Sequence, residues 1–332
     1  MKRMVCFGEM LMRLSPPGDE RLLQSAGLVT SFGGSEVNAA ISMAHFGLRP
    51  EMVTYLPANA IGDAALRALR AEGVDVSRVR RGGRRMGLYF VERGADLRPL
   101  STVYDRADSS FAELDAGEID WDELLRGADW LHVSGITPAL GEGPWCAMQH
   151  AYAAARRAKV GTSLDLNWRP ALWGKRDPKR VIPEFARQSD VIIGNPGAIA
   201  IMLGVETAGT MPESPEALHE TARRLTSEFG CGRVAITQRE VLSASEHGWR
   251  AFLYEAAGDQ LHASRRHQVR VVDRVGGGDS FVAALLWALL DGQPAPRAVE
   301  FAAAASALKL TIPGDFNRVS VAEVQRLIPS AE

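Results

Sequence analysis

Residues 271–290 read V-V-D-R-V-G-G-G-D-S-F-V-A-A-L-L-W-A-L-L. Two apolar residues and a polar pair lead into three consecutive glycines, an acid, and a run with the composition of a buried helix. Gly276, Gly277 and Gly278 free the backbone for φ > 0 and let a ligand approach without meeting a Cβ. Amides at a helix start point outward and carry partial positive charge. A glycine turn that opens into a helix is therefore a seat for a phosphate or a developing oxyanion. Asp279 has two readings: an N-terminal helix residue, or a general base beside that seat. The turn is neither a P-loop, which needs Lys-Ser/Thr after its last glycine, nor a G-x-G-x-x-G.

Upstream of this turn, short apolar strands alternate with amphipathic helices. Met4–Phe7 reads as a first strand ending at Gly8, and Glu36–Phe46 as a helix opening just after Gly33-Gly34-Ser35. Glu51–Leu56 reads as a strand and Asp63–Glu72 as a helix stopped by Gly73. Further on, strands are expected at Trp130–Val133, Val160–Leu166, Val191–Gly194 and Arg233–Thr237. Helices are expected at Trp145–Arg157 and at Pro215–Phe229, the latter capped by Ser214. This alternation implies an α/β fold with a mostly parallel central sheet covered by helices on both faces. Met86–Arg106 breaks the rhythm with two strand-like runs, Gly87–Glu92 and Leu100–Tyr104, which have hairpin chemistry. We therefore expect a large α/β body (1–12, 33–85 and 107–332) and a small β-sheet lid (13–32 and 86–106).

Composition narrows the function classes. The 332 residues include 40 acidic and 38 basic side chains, a net charge of −2, which argues against a non-specific nucleic-acid binder. At 46% hydrophobic and 23% charged residues the chain reads as an ordinary folded protein. Cys6, Cys146 and Cys231 are too few and too scattered for a disulfide framework or a zinc cluster, and a reducing cytoplasm is the expected compartment. The seven histidines show no metal-ligand spacing. The longest apolar run, Phe281–Leu290, is too short to span a bilayer.

The segment V-D-R-V-G-G-G-D-S-F resembles the C-terminal signature of the ribokinase-like (PfkB) carbohydrate kinases, and F-G-G-S-E-V-N-A-A (Phe32–Ala40) resembles their N-terminal Gly-Gly segment. Two motifs in order, near opposite ends of the chain, are far more specific than either alone. F-G-E-M-L-M-R-L-S-P-P, G-L-Y-F, V-Y-D-R-A-D-S, S-L-D-L-N-W-R, A-I-T-Q-R-E and A-A-S-A-L-K-L-T-I-P-G-D extend the likeness toward the 2-dehydro-3-deoxygluconate (KDG) kinase branch. The resemblance implies a ribokinase-like fold whose lid falls at the β-rich insert, ATP and Mg2+ as cofactors, and phosphorylation of KDG at its terminal hydroxyl. A kinase of a neutral ketose and a non-catalytic sugar-acid binder are the alternatives.

By that resemblance Asp279 is the catalytic base, with the amides of Gly276, Gly277 and Gly278 forming the anion hole. Gly34 and Asn38 grip the sugar, Tyr89 and Tyr104 line its pocket from the lid, and Asp315 approaches the substrate end. Arg106 and Arg169 suit an acidic substrate, because a planar guanidinium holds a carboxylate bidentately. Arg169 is equally placed for the γ-phosphate. Asn195 and Thr237, together with Gly276 and Gly278, are expected on the nucleotide. One departure stands out: relatives often carry Asn-x-x-Glu where this chain has Asn195-Pro196-Gly197-Ala198, so no metal ligand is assigned. The expected partners are a small sugar acid and ATP, with no membrane or nucleic acid, and a second copy of the chain paired through the exposed lid edges.

Overall fold

The computed structural model describes residues 1–174, 176–208 and 212–328. The strands in chain order are β1 (Arg3–Phe7), β2 (Leu11–Ser15), β3 (Val29–Gly33), β4 (Arg49–Val53), β5 (Tyr55–Leu56), β6 (Arg80–Arg81), β7 (Gly87–Glu92) and β8 (Ser101–Asp105). They continue with β9 (Trp130–Ser134), β10 (Gly161–Asp165), β11 (Val191–Gly194), β12 (Arg233–Ser243), β13 (Glu246–Glu255), β14 (Gln260–Ala263) and β15 (His267–Arg270).

The large sheet runs β14-β13-β12-β11-β10-β9-β1-β4, with β15 also on β13. From β12 to β4 every pairing is parallel. The strands of this region are buried on both sides, and β1 shows why. Met4 and Cys6 enter one hydrophobic core, with helices Ser35–His45, Gly277–Leu290 and Ala295–Lys309. Val5 and Phe7 enter the other, with helices Glu142–Ala158 and Pro215–Phe229. Period-two alternation sends successive side chains to opposite cores.

The expected elements are present with ends shifted by a few residues, except that Glu51–Leu56 is divided between β4 of the large sheet and β5, which pairs with β6. Helix Pro215–Phe229 and its cap are as read, Ser214 Oγ accepting from Ala217 N at 3.2 Å. The parallel pattern stops at the β12–β13 hairpin, where the sheet turns antiparallel. This hairpin was not expected. Its polar outer half, with Arg239 and Glu240, hides the strand signal that Arg233–Thr237 carries.

A separate four-stranded sheet, ordered β3-β2-β7-β8, covers the carboxyl ends of the large sheet. β7 and β8 are the hairpin read from the insert, with Tyr89 directly opposite Tyr104. β2 and β3 complete it, so its strands extend to Leu11 and Gly33. A small apolar cluster of Leu11, Tyr89 and Val91 holds it together, with Leu100, Tyr104 and Val275 against it. Among the described residues no helix is long and apolar enough to cross a membrane.

Candidate active site

Strand order along the large sheet reverses between β1 and β9, the switch point at which open α/β sheets bind ligands beyond their carboxyl ends. A cavity of about 750 Å³ opens on that side. Its floor is the glycine turn with Asp279, its walls include the ends of β10 and β11 and the middle of β12, and its roof carries Tyr89, Thr102 and Tyr104 of the lid. The two tyrosine rings stack at 6.2 Å between centroids.

The turn is shaped by contact. Gly276 has φ 82°, and a Cβ there would run into the backbone carbonyl of Asp315. No side chain caps helix Gly277–Leu290. The Gly277 N–H points back to the Arg274 carbonyl at 3.4 Å. The first-turn amides of Gly278 and Asp279 therefore remain for an anion, with the dipole behind them.

Asp279 does not cap its own helix. Its carboxylate crosses to the start of helix Ser35–His45, accepting from Asn38 Nδ2 at 2.7 Å and Ser35 Oγ at 3.1 Å. Asn167 Nδ2 reaches it at 3.5 Å while also donating to Asp165 at 2.9 Å and to Ser35 Oγ at 2.7 Å. Burial pushes Asp279 up to about 6, against the pull of the Asn38 hydrogen bond, the Arg169 charge and the Ser35 hydroxyl. Burial and the Asp279 charge raise Asp165 to about 7. A buried carboxylate that ionises near neutrality, at the foot of an open cavity and beside uncapped amides, is equipped to take a proton from a bound hydroxyl.

Of the residues expected at the site, Tyr89, Tyr104, Arg169, Asn195, Thr237, Gly276, Gly277, Gly278 and Asp279 line this cavity. Arg169 is open to it, and among the described residues its side chain's only hydrogen bond is to the adjacent Trp168 carbonyl. Gly34 and Asn38 stand one layer behind. Gly34, at φ 147°, packs against the Glu9 carbonyl so closely that a Cβ does not fit. Asn38 is buried and acts on Asp279.

Two expectations need correction. Arg106 is not on the cavity wall: its Nε and Nη2 are bound to Glu9 at 2.8 and 2.6 Å. Glu9, buried in the β1–β2 connection, requires a charged partner and draws the guanidinium inward. Arg106 meets the cavity only through the Tyr104 ring, 5.8 Å away. Asp315 is likewise buried, its carboxylate taken by the Tyr89 hydroxyl and by Arg13 Nη1 at 2.8 Å. Ala198 is also buried, and the Asn195 side chain accepts from its N–H at 2.9 Å. The fourth position of that segment therefore faces the core.

Beneath the turn lies a charged network that sequence reasoning missed. Arg13, on lid strand β2, pairs with Asp315 and with Asp273 at 2.7 Å, all three being almost wholly buried. Asp273 also accepts from Val275 N and Gly314 N, both at 3.1 Å, joining the catalytic turn to the 313–315 turn. Asp165 and Asn167 were missed as well. The available signal was the D-x-N spacing at the end of a strand, where Asn167 takes φ 40°.

A family model described as pfkB family carbohydrate kinase matches residues 1–319. A 2-dehydro-3-deoxygluconokinase structure from Thermotoga maritima superposes with a TM-score of 0.95 at 41% identity, over 98% of this chain and 99% of that one. A 2-dehydro-3-deoxygalactonokinase of Haloferax volcanii is 30% identical over 325 residues, 98% of this chain and 96% of its own. The 2-dehydro-3-deoxygluconokinase of Thermoproteus tenax is 28% identical over 95% of this chain and 90% of its own. A fructokinase structure from Xylella fastidiosa with bound ATP shares the fold, with a TM-score of 0.78 at 20% identity over 98% of this chain and 97% of that one.

Proposed function

This chain belongs to the pfkB family of carbohydrate kinases, and we propose that it transfers the γ-phosphoryl group of ATP to the terminal hydroxyl of 2-dehydro-3-deoxy-D-gluconate. The observation that carries the sugar-acid reading is Arg169. Its guanidinium stands on the cavity wall near Asp279 with no carboxylate bound to it. A sugar-acid carboxylate entering a lidded cavity loses water, and leaving it unpaired there costs more than desolvating a neutral hydroxyl. Arg169 offsets that cost, with Tyr104 and the Arg106 behind it completing the lid side.

In the transfer, the acceptor oxygen attacks the γ-phosphorus and the bond from that phosphorus to the bridging oxygen breaks, releasing ADP. The hydroxyl proton passes to Asp279, held in place by Asn38, Ser35 and Asn167. The Gly278 and Asp279 amides receive the charge on the moving phosphoryl oxygens. Asn195, just after β11, and Thr237, within β12 one residue past its last parallel pairing, line the cavity and are assigned to the nucleotide. Among the described residues no group of three His, Cys, Asp or Glu side chains fits a metal ion; a magnesium ion would be held by the nucleotide phosphates and water, where it would neutralise phosphate charge.

The test is a panel of KDG, its C4 epimer 2-dehydro-3-deoxygalactonate, fructose and ribose, scored by ADP release with the product position read by phosphorus NMR. KDG is expected to be turned over best, and fructose or ribose matching it would refute the sugar-acid reading. The C4 epimer matching KDG would widen the substrate to both sugar acids, in line with the name of the Haloferax relative.

A further inference from the structure

Three arginines line the cavity, and only Arg169 has been given a task above. Many arginines of this chain answer to a carboxylate, as Arg3 does to Glu51, Arg81 to Asp63, Arg85 to Asp105 and Arg266 to Glu240. The side chains of Arg239 and Arg274 form no hydrogen bond or ion pair among the described residues, although both line the cavity. Arg274 lies two residues before Gly276 on the catalytic turn. Arg239 lies two residues beyond Thr237 on β12, so their side chains share a face. On β13, Trp249 is opposite Arg239, and His247 is opposite Val241, which places all of them on that face.

His247 is 1% exposed and its Nδ1 has no partner. Burial, with Arg239 and Arg274, pushes its imidazole down to about 4, so it adds no charge of its own. Burial, with Arg239 and Arg169, likewise pushes Arg274 down to about 10. The acids that line the same cavity are engaged elsewhere. Asp165 and Asp279 share Asn167, and Glu213 holds Gln238 at 3.1 Å. Arg239 and Arg274 thus crowd one side of a cavity beside the Arg169 charge with no carboxylate paired to either among the described residues, an arrangement that an entering polyanion relieves.

We propose that Arg239 and Arg274 are catalytic residues that bind the polyphosphate chain of the nucleotide, acting with the glycine-turn amides. They neutralise charge in a site whose 195–198 segment presents no carboxylate for a protein-held metal ion. This rests on the donor being a nucleoside triphosphate. Guanidiniums suit the task because their planar forks hold phosphate oxygens bidentately.

The experiment uses Arg239→Gln, Arg274→Gln and the double variant, with calorimetric titration of ADP, AMP and adenosine and steady-state kinetics. Both side chains stand on the cavity wall outside the core, so thermal midpoints close to wild type are expected. In the wild type, affinity rises with each added phosphate. Each single variant should bind ADP about 10-fold more weakly, the scale of one charged hydrogen bond, with adenosine within about 2-fold. Arg239→Lys and Arg274→Lys should recover part of the loss, since charge remains without the fork. Unchanged ADP affinity in the double variant overturns the proposal. So does a loss confined to the KM of the sugar acceptor, which would make these arginines part of the acceptor site. A wild-type protein that binds no adenine nucleotide would sink the donor reading, and this proposal with it, before any variant is made.

Discussion

Replacing Asn38 by leucine isolates what holds the base ionised. Asn38 Nδ2 donates to Asp279 at 2.7 Å, the leading influence opposing the burial that, with this bond in place, leaves the carboxyl raised to about 6. The residue is 3% exposed and its Oδ1 has no partner, so a near-isosteric apolar side chain fits the site and leaves no room for a substituting water. A hydrogen bond to a charged group is worth about 1.5–3 kcal/mol. At about 1.4 kcal/mol per pKa unit, its loss raises Asp279 by roughly 1–2 units. The ionised fraction at pH 7 then drops from about 90% to about a quarter for a shift near 1.5 units. Asp279 accepts a proton only when ionised, so kcat/KM falls as pH drops through its pKa. The acid limb should lie near 6 in the wild type and between about 7 and 8 in the variant. The assay is ADP release from pH 5 to 9 at low acceptor concentration, where kcat/KM reports the free enzyme. Ser35, Asn167, Arg169, Asp165 and Asp315 surround the same carboxylate and are unchanged. A wild-type limb near 4, or limbs that coincide in the two proteins, would refute the reasoning.

Asp279→Asn keeps the size and hydrogen bonding of the side chain but not its basicity. Turnover should fall by roughly 10²-fold or more, with far smaller changes in KM; near-normal turnover would leave Asp279 a structural residue. Arg13→Met takes the paired guanidinium from Asp273 and Asp315, leaving the buried Lys309 as the nearby cation, and should cost up to about 3–5 kcal/mol in urea unfolding, part of which Arg13→Met with Asp315→Asn should recover. Equal stability of wild type and single variant would mean that the triad is not a stabilising unit. Arg169→Gln should raise the KM for KDG by roughly 10–100-fold while leaving a neutral ketose unaffected, and equal loss for both acceptor classes would remove Arg169 from carboxylate recognition. Gly276→Ala forces a Cβ into a left-handed residue that abuts the Asp315 carbonyl, a backbone penalty of about 1–2 kcal/mol before any clash. A thermal midpoint and turnover like those of the wild type would show that the turn relaxes freely.

Much of this protein was legible without its fold. Period-two and period-3.6 patterns, and turn residues such as Gly73 and Ser214, are local, and local preference decided most strands and helices. The glycine turn followed by Asp279 announced an anion seat for the same reason: adjacent residues on one backbone supply it. What tertiary structure decided is which charged groups meet across long separations. Arg106 looked like a substrate ligand because the family resemblance and the fit of a guanidinium to a carboxylate pointed to it, yet Glu9, 97 residues away, takes it. Arg13 and Asp315 are separated by 302 residues and meet under the turn. Nothing in the sequence singled out Arg239; β12 and the glycine turn set it and Arg274 on one cavity wall, with no acid paired to them among the described residues. Charge pairing depends on distance in space and on burial, and a buried carboxylate draws whichever guanidinium the fold brings near. A sequence lists the charges, and the packing of lid on sheet selects which remain free to hold a substrate.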